Sequence, residues 1–174
     1  MNARHRYRDA MEWLYVACVG MSGVALVAIT LMIPIGVFMR YALNNPQSWP
    51  EPAAVVLMVM LSFLGGAAVY RANVHVAVQA LLNAVSPAKR RAMLWAVDAC
   101  VGATALFMIF YGAQLCITTR FQTMAEFPWL SVALVYAPIP VSGLVTLLFL
   151  VERVWLGSPP RTSVMYRDDA TELE

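Results

Sequence analysis

Charged residues are scarce in this sequence. Of its 174 residues, 13% are Asp, Glu, Lys or Arg, while 61% are hydrophobic. A soluble domain is typically about a quarter charged and about half apolar. This scarcity argues against an ordinary soluble fold and favours the lipid bilayer as the solvent. Twelve basic against ten acidic residues leave a net charge of +2, so there is no basic excess of the kind that binds nucleic acid.

Histidine and cysteine are also rare, and this argues against redox, haem or metal chemistry. The two histidines, His5 and His75, lie in the N-terminal segment and in a loop, so they cannot form the facing pairs that hold haem between membrane helices. The three cysteines are scattered through apolar runs, which suits small buried hydrophobes better than a disulfide or a thiol-oxidising pair. They are Cys18, Cys100 and Cys116. We therefore expect no enzyme, and no cofactor or metal site in this chain.

Four long apolar stretches are the main positive signal. A hydrocarbon core about 30 Å thick needs roughly 20 residues of helix. The predicted spans are about 13–39, 52–70, 92–119 and 127–151. They form one membrane domain over residues 13–157, preceded by a cytoplasmic segment, 1–12, and followed by a mobile cytoplasmic tail, 158–174. The predicted fold is an all-α integral membrane protein of four transmembrane helices.

Prolines fall inside two of these spans. Pro34 lies in the first, and Pro138 and Pro140 lie in the fourth. Each removes a backbone donor, so bends are expected near them. By contrast, Ser86 and Pro87 suit the cap and first residue of the third helix.

The basic residues predict the orientation. Loops rich in Lys and Arg stay on the cytoplasmic side of the membrane. Ten of the twelve basic residues lie in the two terminal segments and in the loop between the second and third spans. Only Arg40 and Arg120 lie in the other two loops. Both termini are therefore predicted to be cytoplasmic, in a multi-pass protein of the bacterial inner membrane.

The middle loop carries an amphipathic pattern over residues 73–86. Its apolar residues recur with helical spacing, whereas its polar residues share the opposite face. The apolar set is Val74, Val78, Leu81, Leu82 and Val85, and the polar set is His75, Gln79 and Asn83. The segment is too short to span the bilayer, so it is predicted to be a helix lying along the membrane interface.

Asp98 is the one charged residue inside a predicted span. It follows Arg91 by seven residues, which places it about 10 Å into the third helix. The favoured interpretation is a paired carboxylate near the membrane boundary, contacting its own chain or a partner subunit. An ion-coupling role is the alternative.

The two external loops hold the remaining candidate contact residues. In the first, turn formers lie between Tyr41 and Trp49, which suit the membrane interface, and charged residues flank them. The charges available on this side are Arg40, Glu51, Arg120 and Glu126. These loops either anchor the chain to phospholipid or a membrane partner, or help to dock another protein on the external side.

Several short motifs occur together at informative intervals. They are Arg40-Tyr41, Trp49 with Glu51, Phe63-Leu64-Gly65-Gly66-Ala67-Ala68, and Arg71 followed by His75. In their joint spacing the chain resembles the small membrane subunit of tripartite ATP-independent periplasmic (TRAP) transporters, the DctQ family. It departs from that pattern at Pro52 and Gln79, where the family often has acids, so contacts made by those acids are not carried over.

The resemblance implies a sodium-coupled secondary transporter in three parts. A DctP-like periplasmic protein would deliver an organic acid, such as a dicarboxylate or sialic acid. A large DctM-like membrane subunit would move it with sodium, and this chain would be the scaffold. Small residues would permit close helix packing, within the chain or with the partner. They include Gly20, Gly23, Gly65, Gly66, Ala67 and Ala68. The alternative is a self-contained four-helix protein, either a small exporter or a redox-linked membrane anchor.

Overall fold

Four long helices dominate the structure, a computed structural model that describes residues 3–72 and 87–156. The helices are α1 (Ala3–Tyr41), α2 (Pro50–Ala72), α3 (Pro87–Thr119), α4 (Val132–Tyr136) and α5 (Pro138–Leu156). The first three and the combined stretch Val132–Leu156 are long and apolar enough to cross a membrane. The predicted all-α membrane fold is confirmed. The predicted interfacial helix at 73–86, with His75, and the tail at 158–174 lie outside the described residues.

The bundle has two ends, which we name by what lies there. At the termini end α1 begins, α2 ends, α3 begins and α5 ends. At the hairpin end are the α1–α2 connection and the α3–α4 loop. Consecutive long helices therefore run in opposite directions.

The first helix extends well beyond its predicted span of 13–39. It begins at Ala3 and has 39 residues, about 58 Å at 1.5 Å per residue, which is longer than a bilayer core. Charged residues keep its first turns out of hydrocarbon but do not prevent a helix. These turns also pack on the bundle, because Met11 is buried and the Tyr7 hydroxyl donates to the Leu148 carbonyl at 3.1 Å. The segment predicted as 1–12 is thus helical from Ala3 onward.

Prolines stand at the starts of α2 and α3. Pro50 and Pro87 are each the first helical residue, where a missing N–H costs nothing because the helix has no acceptor for it. The prediction that Pro87 begins the third helix is confirmed. Both helices are longer than their apolar cores alone suggested, and α2 continues through Arg71.

The fourth span begins at Val132 rather than at residue 127. The preceding residues form a turn in which the Leu130 N–H donates to the Phe127 carbonyl, and the Val132 N–H donates to the Gln122 carbonyl, both at 2.9 Å. Ser131 then caps the helix by accepting from the Ala133 N–H at 3.3 Å. Hydropathy alone cannot distinguish the apolar residues of this turn from residues of a membrane helix. The loop hydrogen bonds, rather than hydropathy, therefore set the start of the helix at Val132.

The regular helical hydrogen bonding of the fourth span is interrupted at Ala137, between α4 and α5. Its backbone stays helical, with φ −54° and ψ −33°, but Pro138 and Pro140 supply no N–H to the turn before them. The interruption between α4 and α5 therefore coincides with the predicted prolines. Pro34, in contrast, lies within α1 without ending it.

Helix α5 occupies the centre of the packing, since it contacts α1, α2 and α3, while α1 also lies along α2. The main core cluster lies towards the termini end. It comprises Met11, Tyr15, Cys18, Leu64, Ala67, Ala68, Tyr70, Val145 and Phe149. Of the small residues singled out above, Gly65 faces Ser22, whereas Gly20, Gly23 and Gly66 have open space beside them. The small residues thus serve packing within the chain only in part.

Two glycines allow α3 and α5 to approach closely. A Cβ atom on Gly143 would lie 2.9 Å from the Ala105 carbonyl oxygen and 3.0 Å from Met108 Cβ. A Cβ atom on Gly112 would lie 2.9 Å from Pro140 Cδ. Backbone and proline ring atoms cannot move aside easily, so these contacts fix the spacing of the two helices.

Gly143→Ala should therefore destabilise the bundle by about 1–3 kcal/mol through overpacking. The matched control is Gly66→Ala, because no atom lies within 4 Å of its added Cβ and alanine favours a helix by roughly 0.5–1 kcal/mol. Thermal unfolding in detergent should show a lower midpoint for Gly143→Ala only. Equal midpoints for the two variants would contradict the close α3–α5 contact.

Candidate functional site

A buried guanidinium lies at the termini end of the bundle. Arg71 Nε donates to Glu152 Oε2 at 2.8 Å, and Arg71 Nη2 donates to Glu152 Oε1 at 3.0 Å. The third edge of the same group, Nη1, donates to Glu12 Oε2 at 2.6 Å. The side chains of Arg71 and Glu152 are only 3% and 2% exposed, whereas that of Glu12 is 42% exposed. One arginine thus joins α1, α2 and α5. We call Glu12, Arg71 and Glu152 the Arg71 cluster.

Aromatic rings enclose the Arg71 cluster on the bundle side. Arg71 Cζ lies 5.3 Å from the ring centroid of Tyr15 and 5.4 Å from that of Phe149, and both side chains are 1% exposed. A cation over an aromatic face is attracted by the ring quadrupole, more strongly when water is excluded. Carboxylates and ring faces together replace the hydration that Arg71 gives up.

A second ionic contact links α3 to the same region. Arg153 Nε lies 3.4 Å from Asp98 Oδ1, and the Tyr70 hydroxyl donates to the same oxygen at 3.4 Å. The Arg153 guanidinium also lies 5.9 Å from the Tyr70 ring centroid. Asp98, which the sequence placed near a membrane boundary, therefore contacts α2 and α5 of its own chain.

The hairpin end carries the residues predicted for the first external loop. Arg40 Nη2 lies 2.9 Å from Glu51 Oε1, closing the α1–α2 connection across solvent-exposed side chains. Asn44 adopts φ 48°, a left-handed conformation that asparagine tolerates in turns. Tyr41 and Trp49 are both exposed, in agreement with a position at the membrane interface.

The α3–α4 loop lies at the same end. The Arg120 guanidinium is 4.4 Å from the Phe121 ring centroid, and the Ser131 hydroxyl donates to the Arg120 carbonyl at 2.9 Å. Thr123 and Ser131 form an isolated antiparallel bridge that closes the loop. Glu126 is exposed and forms no ion pair within the described residues.

The structure thus divides the predicted site residues between the two ends. Arg71 and Asp98 lie at the termini end, and the other six described residues lie at the hairpin end. These six are Arg40, Tyr41, Trp49, Glu51, Arg120 and Glu126. Sequence reasoning missed Glu12 and Glu152, which directly adjoin the predicted spans 13–39 and 127–151. The available signal was that each of these acids lies at the same end of the bundle as Arg71, so each could have been predicted to pair with it.

Ionic contacts at both ends join helices of this chain to one another. The Arg71 guanidinium binds both carboxylates of the Arg71 cluster, and Asp98 is paired with Arg153. Within residues 3–72 and 87–156, no group of three or more His, Cys, Asp or Glu side chains could hold a metal ion. The arrangement holds helices together at fixed rotation and depth.

Glu152→Gln should cost about 1.5–3 kcal/mol, because it removes the charge-assisted bonds of Glu152 and leaves the buried Arg71 charge with only its half-exposed partner Glu12. The matched control is Glu51→Gln at the hairpin end, where the pair is exposed and its loss should cost less than about 1 kcal/mol. Equilibrium unfolding by SDS in mixed micelles measures both. A similar small loss for the two variants would show that the Arg71 cluster does not stabilise the bundle.

Comparison with known proteins agrees with this geometry. The family model for the DctQ component of tripartite ATP-independent periplasmic transporters matches residues 29–158, which is most of the chain. A protein of Haemophilus influenzae described as a TRAP transporter small permease protein is 22% identical over 129 residues, covering 74% of this chain and 80% of the relative. The match extends over α2, α3, α4 and α5 and part of α1. The chain belongs to the DctQ component family of tripartite ATP-independent periplasmic transporters.

Proposed function

We propose that this chain is the scaffolding small subunit of a sodium-coupled transporter in the bacterial inner membrane that imports an organic acid, such as a dicarboxylate or sialic acid. The observation that carries the scaffold role is the Arg71 cluster. In it, charged side chains from α1, α2 and α5 bind one another and so fix the three helices together. In this proposal a large DctM-like subunit binds sodium and moves the substrate, and a DctP-like periplasmic protein delivers it.

The pairing of Asp98 supports a scaffold over a self-contained exporter. An ion-coupling carboxylate has to exchange its partner during transport. Asp98 instead shares its oxygen between Arg153 and the Tyr70 hydroxyl, at a helix junction where α2, α3 and α5 meet. In this proposal Asp98 holds α3 in place and carries no ion.

The shape of α1 supports a role in bracing a larger partner. The helix exceeds the bilayer core in length, and many of its apolar side chains beyond Cys18 are exposed rather than packed within the chain. A rigid body whose α1 surface faces lipid enlarges the membrane footprint of a partner that binds elsewhere on the bundle. In the proposed complex it braces the static part of the large subunit while a mobile part carries the substrate.

The bracing role predicts that the large subunit fails without this chain. The large subunit should be produced alone and together with this chain, then reconstituted into liposomes with the periplasmic protein. We expect substrate uptake and thermal stability of the large subunit only when the two membrane proteins are present together. A large subunit that is stable and active by itself would remove the bracing role.

The hairpin end is proposed to face the periplasm and to help dock the loaded periplasmic protein. Two observations support this. The basic residues are concentrated at the other end, and the exposed Arg40, Glu51 and Glu126 offer charges of both signs beside exposed Trp49 and Trp129. Anchoring to phospholipid at the same height is the simpler alternative for the aromatic residues.

One modified residue tests orientation and docking together. Glu126→Cys should react with a membrane-impermeant maleimide in right-side-out vesicles, and a bulky label there should slow uptake while the membrane complex stays assembled. Arg91→Cys at the termini end is the control and should react only in inverted vesicles. The unmodified chain reports any background from its three native cysteines. Reaction of both variants from the same side would overturn the orientation, and unchanged uptake after labelling of the Glu126→Cys variant would overturn docking at this loop.

A further inference from the structure

Helix α3 turns a continuous stripe of residues away from the rest of the bundle. The stripe positions fall within an arc of about 80° at 100° per residue. The buried residues Ala105 and Gly112 lie on the other side of the helix, towards α5. The α3 stripe consists of Cys100, Thr104, Phe107, Tyr111, Gln114 and Thr118, all of which are exposed.

Two polar groups in the α3 stripe lie within the apolar part of the helix. Tyr111 is about 14 Å from Arg120 and about 20 Å from Asp98 along the helix, so both ends of the span are more than two turns away. Gln114 is one turn nearer to the hairpin end. Neither the Tyr111 hydroxyl nor the Gln114 amide makes a hydrogen bond within the part of the chain that the structure describes. Lipid tails cannot supply one, so exposure of these groups to lipid is unfavourable.

The threonines of the α3 stripe do not share this need. The Thr104 hydroxyl donates to the Cys100 carbonyl and the Thr118 hydroxyl donates to the Gln114 carbonyl, both at 2.9 Å. Their polarity is satisfied within the helix. The polar groups of the α3 stripe that still need a hydrogen-bond partner are therefore the Tyr111 hydroxyl and the Gln114 amide.

The exposed surface of α1 is different in chemistry although equal in exposure. Val27 and Tyr111 are each 59% exposed, yet the neighbours of Val27 on that surface are aliphatic. They include Val24, Leu31 and Ile35. The hydroxyl of Thr30 on the same helix donates to the Leu26 carbonyl at 2.8 Å. Between Val24 and Ile35 the one polar side chain of α1 is therefore satisfied within the helix, whereas the α3 stripe carries two polar groups that are not.

The spacing of the α3 stripe indicates what kind of protein surface would cover it. Its members recur at alternating intervals of four and three residues, the spacing at which one helix packs along another at a shallow angle. Phe107 and Tyr111 stack with ring centroids 4.4 Å apart and form a ridge along it. The surface that would complement it is another membrane helix carrying hydrogen-bonding groups at the height of Tyr111 and Gln114.

We propose that a transmembrane helix of the large membrane subunit packs along the α3 stripe and hydrogen-bonds to Tyr111 and Gln114. This inference rests on the proposed function, because the tripartite family supplies the large subunit as the partner. It assigns the partner contact to α3 and leaves the aliphatic surface of α1 to lipid. A second copy of this chain is the competing occupant.

Photo-crosslinking in the intact complex tests the assignment. The photoreactive residue p-benzoylphenylalanine should replace Tyr111, or Val27 as a control of matched exposure, in the chain co-produced with its large subunit. We expect an adduct with the large subunit from position 111 and none from position 27. An adduct between two copies of this chain, an adduct from position 27 only, or no protein adduct from position 111 would overturn the proposal.

Polar-to-apolar variants provide a second measurement. The double variant Tyr111→Phe with Gln114→Leu should weaken association with the large subunit in detergent by roughly five- to tenfold, given typical interhelical hydrogen bonds. Thr30→Val on α1 should leave association unchanged. The thermal midpoint of the isolated chain should stay the same in both variants, because these side chains face outward. Unchanged association of the double variant would overturn the role of these two groups.

The two proposals can fail separately. If the unmodified chain does not associate with the large subunit at all, the proposed scaffold function fails together with this inference. If it associates but crosslinks through α1, only the assignment to the α3 stripe is wrong.

Discussion

The fold depends on keeping one arginine charge paired inside the termini end of the bundle. An unpaired charge is very costly where water is excluded, whereas a guanidinium that binds a carboxylate through two parallel hydrogen bonds tolerates burial. Glu152 provides those two bonds, Glu12 occupies the remaining edge, and Tyr15 and Phe149 lie against the cation. Because this geometry accepts little rotation or sliding, it sets the relative positions of α1, α2 and α5.

Helix α3 is attached to that unit by different means. The Arg153–Asp98 pair joins it to α5 near the Arg71 cluster, and the glycine contacts at Gly112 and Gly143 bring the two backbones together further along. Since α3 packs mainly on α5, its opposite side remains open. The same arrangement that secures the helix therefore presents the α3 stripe outward.

The two ends of the bundle differ in how many charged side chains remain available for contacts with other molecules. At the termini end the charged side chains of the Arg71 cluster and of the Arg153–Asp98 pair bind one another. These contacts make that end rigid but leave those charges unavailable to a partner. At the hairpin end Arg40, Glu51 and Glu126 remain exposed beside aromatic side chains, so this end can still form contacts with another protein or with headgroups. The proposed scaffold role rests on this difference between a fixed end and an open end.

The sequence by itself determined the four spans, the all-α membrane fold, the start of α3 at Pro87 and the family. These follow from local composition, because a bilayer demands long apolar helices and a proline without a donor belongs in a first turn. Only the tertiary structure decided which charges meet. Arg71 is separated by 59 residues from Glu12 and by 81 from Glu152, and their contact depends on the rotation of three helices that are apolar almost all round. The start of the last span at Val132 was likewise decided by loop hydrogen bonds, which hydropathy does not record.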